Sequence, residues 1–126
     1  MKCPSERVDF SFFDILLNMG IGDIYWLKQN NNISHPQVVI NVDGDLLTLC
    51  SVTTNQNKAT MPGNVVLEVG EGGLEKSSIV EVSKTMIVTI DELERYVGTL
   101  SEKRISEILA GIGFIERTYF SSKPLQ

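Results

Sequence analysis

The sequence is poor in the residues from which disulfide frameworks and zinc centres are built. Its 126 residues include two cysteines, Cys3 and Cys50, and one histidine, His35. Two cysteines are too few for a disulfide framework, and a structural zinc site needs three or four converging ligands. The composition therefore argues against both classes of protein. Cys50 lies in the apolar segment 47–52, where we expect a buried thiol that acts as a small hydrophobic residue.

A long apolar run and an excess of basic charge are also missing. No stretch of about 18 apolar residues is present, which argues against a membrane span. The acidic residues among the first 14 do not fit a cleavable signal peptide, so we expect a cytoplasmic protein. The net charge is -5, and the second half of the chain carries seven basic and ten acidic residues. This balance argues against indiscriminate nucleic-acid binding but leaves a local basic groove open.

The segment from Met61 to Val80 is the most informative part of the chain. Pro62-Gly63 opens a β-branched run, the turn Gly70-Glu71-Gly72-Gly73 interrupts it, and a second apolar run follows. This order predicts a strand, a loop with positive φ angles and a second strand. The turn lacks the later glycine and the lysine of a phosphate-binding loop, so we interpret it as structural.

Short strands at close spacing, with helices mainly at the two ends, predict a small barrel-like β fold with a helical cap. Besides the two strands of segment 61–80, strands are predicted at 22–27, 38–41, 46–52 and 86–89, helices at 9–19 and near 92–97, and polar loops at 28–34 and 53–60. Asp43-Gly44 is a hairpin signal. The clearest helix is capped by Ser101 and presents one apolar face, which consists of Ile105, Ile108, Leu109 and Ile112. We expect a helical extension over residues 1–20, one barrel domain over 21–118 and a flexible tail over 119–126.

One pair of sites could support catalysis. His35 precedes Pro36 and therefore lies where a loop meets a strand, and Thr53-Thr54-Asn55 follows the end of another strand. A histidine beside hydroxyl donors could deprotonate a ribose 2′-hydroxyl and stabilise charge on the attacked phosphate. An ordinary junction histidine and an ordinary strand-end turn explain the same residues, and spacing alone favours that explanation.

Seven short motifs follow one another along the chain. They are Gly22-Asp23-Ile24-Tyr25-Trp26-Leu27, His35-Pro36-Gln37-Val38-Val39-Ile40, Val52-Thr53-Thr54-Asn55, Pro62-Gly63-Asn64-Val65, Gly70 to Leu74, Val82-Ser83 and Gly98-Thr99-Leu100-Ser101. Each motif is weak alone, but in order and spacing the set resembles the MazF/PemK family over roughly residues 21–115.

The resemblance implies a toxin of a toxin–antitoxin pair with an SH3-like β-barrel of the MazF/PemK/CcdB type, usually a homodimer. Such proteins need no metal or other cofactor. They cut single-stranded RNA by attack of the ribose 2′-hydroxyl, which leaves a 2′,3′-cyclic phosphate and a 5′-hydroxyl. The implied protein partner is a cognate antitoxin that blocks the RNA site with a segment that folds on binding.

By position, Thr53 matches the catalytic threonine of the family. His35 stands where the family usually has an arginine, and Met86 aligns with a second one. With His35 as general acid or base, we expect an RNA path lined by Lys28, Thr54, Asn55 and Lys58. The missing arginines leave a second alternative, a weak or inactive barrel that binds RNA or protein. A third alternative is a gyrase-directed toxin of the same fold.

Overall fold

One antiparallel sheet of six strands forms the body of the molecule. The computed structural model describes residues 20–28 and 35–117, so the helix predicted at 9–19, most of the loop predicted at 28–34 and the predicted tail lie outside the described residues. The strands are β1 (Asp23–Leu27), β2 (Gln37–Asp43), β3 (Leu46–Thr53), β4 (Val65–Leu67), β5 (Ser78–Thr89) and β6 (Leu93–Thr99), and one helix follows, α1 (Glu102–Ile115). Their order in the sheet is β4-β5-β3-β2-β1-β6. The curled, mainly β architecture with a C-terminal helix confirms the predicted fold class.

Strand β5 contains the irregularity that bends the sheet. Cys50 of β3 pairs with Thr85, whereas the next residue, Ser51, pairs with Glu81. Three residues of β5, at positions 82–84, therefore have no partner on β3. Such bulges increase the local twist and turn a strand. The second strand predicted in segment 61–80 and the strand predicted at 86–89 are thus one strand, β5, with this bulge between them.

Two apolar clusters lie on opposite faces of the sheet. The first cluster contains Ile24, Val38, Ile40, Cys50, Val52, Val65, Leu67, Leu74, Val80, Val82, Leu100 and Ile108. The second contains Tyr25, Leu27, Val39, Leu47, Leu49, Val88, Ile90 and Leu93. Strand alternation produces both, because successive side chains point to opposite faces. The buried Cys50 thiol confirms the prediction for this residue, and burial raises its pKa to about 12.

Helix α1 covers the first cluster. The Ser101 side chain accepts a hydrogen bond from the Arg104 N–H at 3.3 Å, which confirms the predicted cap. Ile108 is buried, but Leu109 is exposed, so the predicted apolar face was wrong at that residue. Ile115 packs against the cluster instead. No helix within the described residues is long and apolar enough to cross a membrane.

The helix predicted near residues 92–97 is wrong, because this segment forms strand β6. A single 3₁₀ turn over Ile90–Glu92 precedes it, and the Glu92 carboxylate accepts hydrogen bonds from the Thr89 N–H and hydroxyl at 3.1 and 3.2 Å. β6 then pairs with β1, and the rings of Tyr25 and Tyr96 lie 5.5 Å apart. Pairing with a strand about 70 residues earlier outweighs the weak local preference for helix.

The glycine-rich turn after β4 lies against strand β6 and the start of α1. A Cβ at Gly73 would come within 2.4 Å of the Val97 carbonyl oxygen, and its φ of +81° also favours glycine. Arg104 of α1 donates two hydrogen bonds of 2.8 Å to the Glu71 carboxylate. This hydrogen-bonded guanidinium holds the pKa of the Glu71 carboxyl below its usual value. Because the turn follows β4 and contacts β6, it connects both edge strands of the described sheet to α1.

A backbone contact between Gly111 and Gly63 seats α1 on the loop before β4. A Cβ at Gly111 would lie 2.2 Å from the Gly63 carbonyl oxygen, which is too close for any real contact. Glycine is unfavourable in a helix interior, but α1 continues past Gly111 and Gly113 to Ile115. Gly111 is the residue that permits the close approach of the helix to the loop.

We expect Gly111→Ala to lower the free energy of unfolding by about 1–3 kcal/mol, because the added methyl group forces the helix away from the loop. Gly113→Ala is the matched control in the same helix. There the nearest atom to a new Cβ is the Arg117 guanidinium at 3.3 Å, the end of a flexible side chain. Alanine should therefore raise stability at residue 113, by up to ~1 kcal/mol. Urea unfolding of both variants measures this, and equal effects at the two positions would contradict the proposed contact.

Candidate active site

Three strand ends bring the predicted catalytic residues to one edge of the sheet. Tyr25 of β1 pairs with Gln37 of β2, and Gln37 pairs with Ser51 of β3. The Val52 N–H donates to the Pro36 carbonyl oxygen at 3.0 Å, so this register continues beyond the start of β2. Extended by one more residue, this register sets His35 opposite Thr53, which is 18 positions later in the sequence.

The Thr53 side chain is held at the end of β3 with its hydroxyl proton uncommitted. Thr53 is buried, and its oxygen Oγ1 accepts a hydrogen bond from the Asn55 N–H at 3.2 Å. Within the described residues, this hydroxyl donates no hydrogen bond. Because a hydroxyl accepts and donates at once, the Asn55 contact fixes the oxygen and leaves the proton for a ligand.

His35 is exposed at the same edge. Its carbonyl oxygen accepts a hydrogen bond from Gln37 Nε2 at 3.4 Å, which anchors the backbone on β2. This geometry is compatible with a catalytic histidine and with an ordinary junction residue.

The four residues predicted to line an RNA path lie around this edge. Lys28 is exposed just after β1, and its N–H donates to the Glu92 carbonyl oxygen at 2.9 Å. Thr54 and Asn55 are exposed directly after Thr53. The predicted polar loop at 53–60 contains a 3₁₀ helix over Gln56–Thr60, which Asn55 caps by accepting a 3.1 Å hydrogen bond from the Asn57 N–H. Lys58 lies on this short helix.

A row of polar residues, two of them buried, lies next to these residues and was missed at the sequence level. Gln37, Ser51 and Glu81 are consecutive partners across β2, β3 and β5. Gln37 and Glu81 are 3% and 4% exposed. Within the described residues, Gln37 Oε1 has no hydrogen-bond partner. The sequence did contain a signal for this row, because Gln37 and Glu81 stand next to apolar residues of predicted strands. A buried polar side chain is unusual and needs an explanation.

The charges at this edge come from lysines and one carboxylate. Lys58 Nζ lies 4.0 Å and Lys84 Nζ 3.8 Å from Glu81 Oε2. Met86, the residue aligned with a family arginine, packs against the second apolar cluster. Of the arginines on the described elements, Arg104 binds Glu71 and Arg95 lies 5.6 Å from the Trp26 ring.

Comparison with known proteins agrees with this architecture. A family model described as PemK-like, MazF-like toxin of type II toxin–antitoxin system matches residues 21–115. Among solved structures, the Mycobacterium tuberculosis toxin MazF-mt6 is similar, with a TM-score of 0.62 and 18% identity over 73% of this chain and 93% of that one.

A second similar structure is an endoribonuclease in complex with its cognate antitoxin from a mycobacterial species. It has a TM-score of 0.64 and 15% identity over 83% of this chain and 97% of that one. No curated protein gives a significant match. At these identities the structural likeness shows the fold, whereas the family model covers the sheet, the candidate site and α1. The chain therefore belongs to the PemK-like, MazF-like toxin family of type II toxin–antitoxin systems.

Proposed function

We propose that this protein is a metal-independent endoribonuclease toxin that cuts single-stranded RNA. The observation that carries the proposal is the register of β2 and β3, which pairs Gln37 with Ser51 and, extended by two residues, sets His35 opposite Thr53. Membership in the toxin family supports it, as does the fold shared with a mycobacterial endoribonuclease.

The proposed reaction is an internal transfer at phosphorus. The ribose 2′-oxygen forms a bond to the adjacent phosphorus, and the bond from phosphorus to the 5′-oxygen breaks. A base removes the 2′-hydroxyl proton and an acid protonates the departing 5′-oxygen, and His35 performs one of these two transfers. The Thr53 hydroxyl donates to a phosphate oxygen as negative charge develops there. The products are a 2′,3′-cyclic phosphate and a 5′-hydroxyl.

We further propose that the toxin is controlled by a cognate antitoxin and acts as a homodimer. The similar mycobacterial endoribonuclease was solved with its antitoxin. Lys28, Lys58 and Lys84 border the candidate site on the described residues, so an acidic antitoxin segment would compete with RNA for the same positive charge. Thr54 and Asn55 would contact the RNA next to Thr53.

Incubation of the purified protein with mixed RNA in EDTA tests the activity. We expect fragments with 2′,3′-cyclic phosphate ends, and 5′ ends that polynucleotide kinase labels without prior phosphatase treatment. A His35→Ala/Thr53→Val protein purified in parallel controls for contaminating ribonuclease. If the native protein yields no more such ends than this control, the proposed activity is wrong.

A second candidate function is RNA binding without cleavage. It is favoured by His35 at the family's arginine position and by the packing of Met86 in an apolar cluster, because a fixed guanidinium is a better phosphate ligand than a neutral imidazole. Retention of intact RNA by the native protein, with no new ends, would select this function. Cleavage of DNA only in the presence of gyrase would select the gyrase-directed alternative.

A further inference from the structure

The buried carboxylate of Glu81 is the least expected group near the candidate site. Its side chain is 6% exposed, while those of Lys58 and Lys84 are 33% and 62% exposed. Both ammonium groups face the same oxygen, Oε2, at distances of 4.0 and 3.8 Å. The buried Glu81 carboxylate therefore lies beside the ammonium groups of Lys58 and Lys84, whose side chains remain accessible to solvent. This differs from an exposed ion pair, in which water screens both partners and the attraction contributes little.

Strand register places Glu81 close to Thr53. Thr53 pairs with Ile79 and Ser51 pairs with Glu81, so both pairs lie on one face of β3 and β5. Diagonal neighbours of this kind are about 7–8 Å apart. The Glu81 carboxylate and the lysines that it attracts thus lie within one nucleotide's reach of the Thr53 hydroxyl.

The backbone around Lys58 is fixed by the side chain of Asn64. Asn64 Nδ2 donates to the Lys58 carbonyl oxygen at 3.0 Å, and Asn64 Oδ1 accepts from the Val82 N–H at 3.1 Å. One amide thereby connects Lys58 to the residue that follows Glu81. Gln56 adds a second link by donating to the Ser77 carbonyl oxygen at 3.1 Å. The relative positions of Lys58 and Glu81 are consequently set by the fold as well as by their charges.

We propose that Glu81 is a positioning residue that holds Lys58 and Lys84 beside Thr53, where the two ammonium groups bind the phosphate of the cleaved RNA bond. This inference rests on the proposed function and deepens it. Phosphoryl transfer needs fixed positive charge at the phosphate oxygens, and lysine can supply it as a point charge. Glu81 acts through the lysines, since its buried oxygen faces them.

A set of cleavage measurements separates positioning from a merely structural role. Glu81→Gln keeps the size of the side chain and removes its charge. We expect it to lower kcat/KM about tenfold, and Lys58→Met/Lys84→Met to lower it by about 30- to 100-fold, because phosphate contacts are lost. In that lysine-free background, Glu81→Gln should change the rate less than about twofold, since interacting residues are non-additive. Lys103→Met, at an exposed position in the first turn of α1 whose charge acts on Glu71, controls for the loss of a positive charge.

A second readout does not depend on catalysis. We expect the ammonium NMR signals of Lys58 and Lys84 to shift in Glu81→Gln and to stay unchanged in Lys103→Met. An equal tenfold loss from Glu81→Gln with and without the lysines, or unchanged ammonium signals, would overturn the inference while leaving the proposed function intact.

Failure of the proposed function is visible separately, as native protein that makes no cyclic phosphate. The same variants are then compared by their affinity for a 2′-O-methyl oligonucleotide at fixed salt, because salt alone changes such affinities strongly. If Glu81→Gln lowers the affinity of the native protein but not that of Lys58→Met/Lys84→Met, positioning by Glu81 is supported. Equal losses of affinity in the two backgrounds overturn it.

Discussion

Replacement of His35 by alanine is expected to slow RNA cleavage by about 10²- to 10⁴-fold, the usual contribution of a general acid or base. His35 is the only histidine of the chain, and the register of β2 and β3, extended beyond Gln37 and Ser51, sets it opposite Thr53. Single-turnover rates of cyclic-phosphate formation measure the effect without interference from product release.

His35→Arg distinguishes proton transfer from charge stabilisation. A guanidinium provides a permanent charge and two parallel donors, but it does not exchange its proton near neutral pH. If His35 transfers a proton, arginine should restore little of the rate lost in His35→Ala. Full activity in His35→Arg would contradict the proton-transfer role and show that this position needs only positive charge.

Elements with local signals were predictable from the sequence. The Asp43-Gly44 pair marks the hairpin between β2 and β3, in which Asp43 pairs with Leu46, and Ser101 marks the start of α1. Strand β6 carries no comparable local signal. It is defined by pairing with β1 and by the contact between Tyr25 and Tyr96, and such distant pairings outweigh local propensity.

The candidate site was predictable only in part, for a related reason. His35 and Thr53 stand at strand ends, which the sequence shows, and hairpin register then brings them together. Glu81 lies beside a bulge of three unpaired residues, and a bulge shifts which face later side chains occupy. Alternation alone could not reveal that Glu81 faces Lys58. That Gln37 Oε1 has no hydrogen-bond partner among residues 20–28 and 35–117 is likewise visible only when the neighbouring strands are in place.

Removal of the Thr53 hydroxyl is expected to lower the cleavage rate by about 10²- to 10³-fold, as loss of one donor to a developing oxyanion does elsewhere. Thr53→Val preserves the shape of the side chain and its β-branching while removing the hydroxyl. It also removes the acceptor for the Asn55 N–H, which should cost about 1 kcal/mol of stability. A loss of stability of this size should leave most of the protein folded. The cleavage rate should therefore fall far more than the fraction of protein that is folded. Single-turnover cleavage and urea unfolding of the same preparation measure both quantities.

Thr53→Ser is the matched control, because serine retains the hydroxyl that accepts from Asn55 and can still donate to phosphate. We expect it to keep most of the activity, with a loss within about tenfold from the freer χ1 rotation of serine. A Thr53→Ser protein as slow as Thr53→Val would mean that the γ-methyl group, and hence packing at the end of β3, is what matters. Equal activity of all three proteins would remove Thr53 from the reaction and leave His35 with the lysines around Glu81 as the remaining catalytic groups.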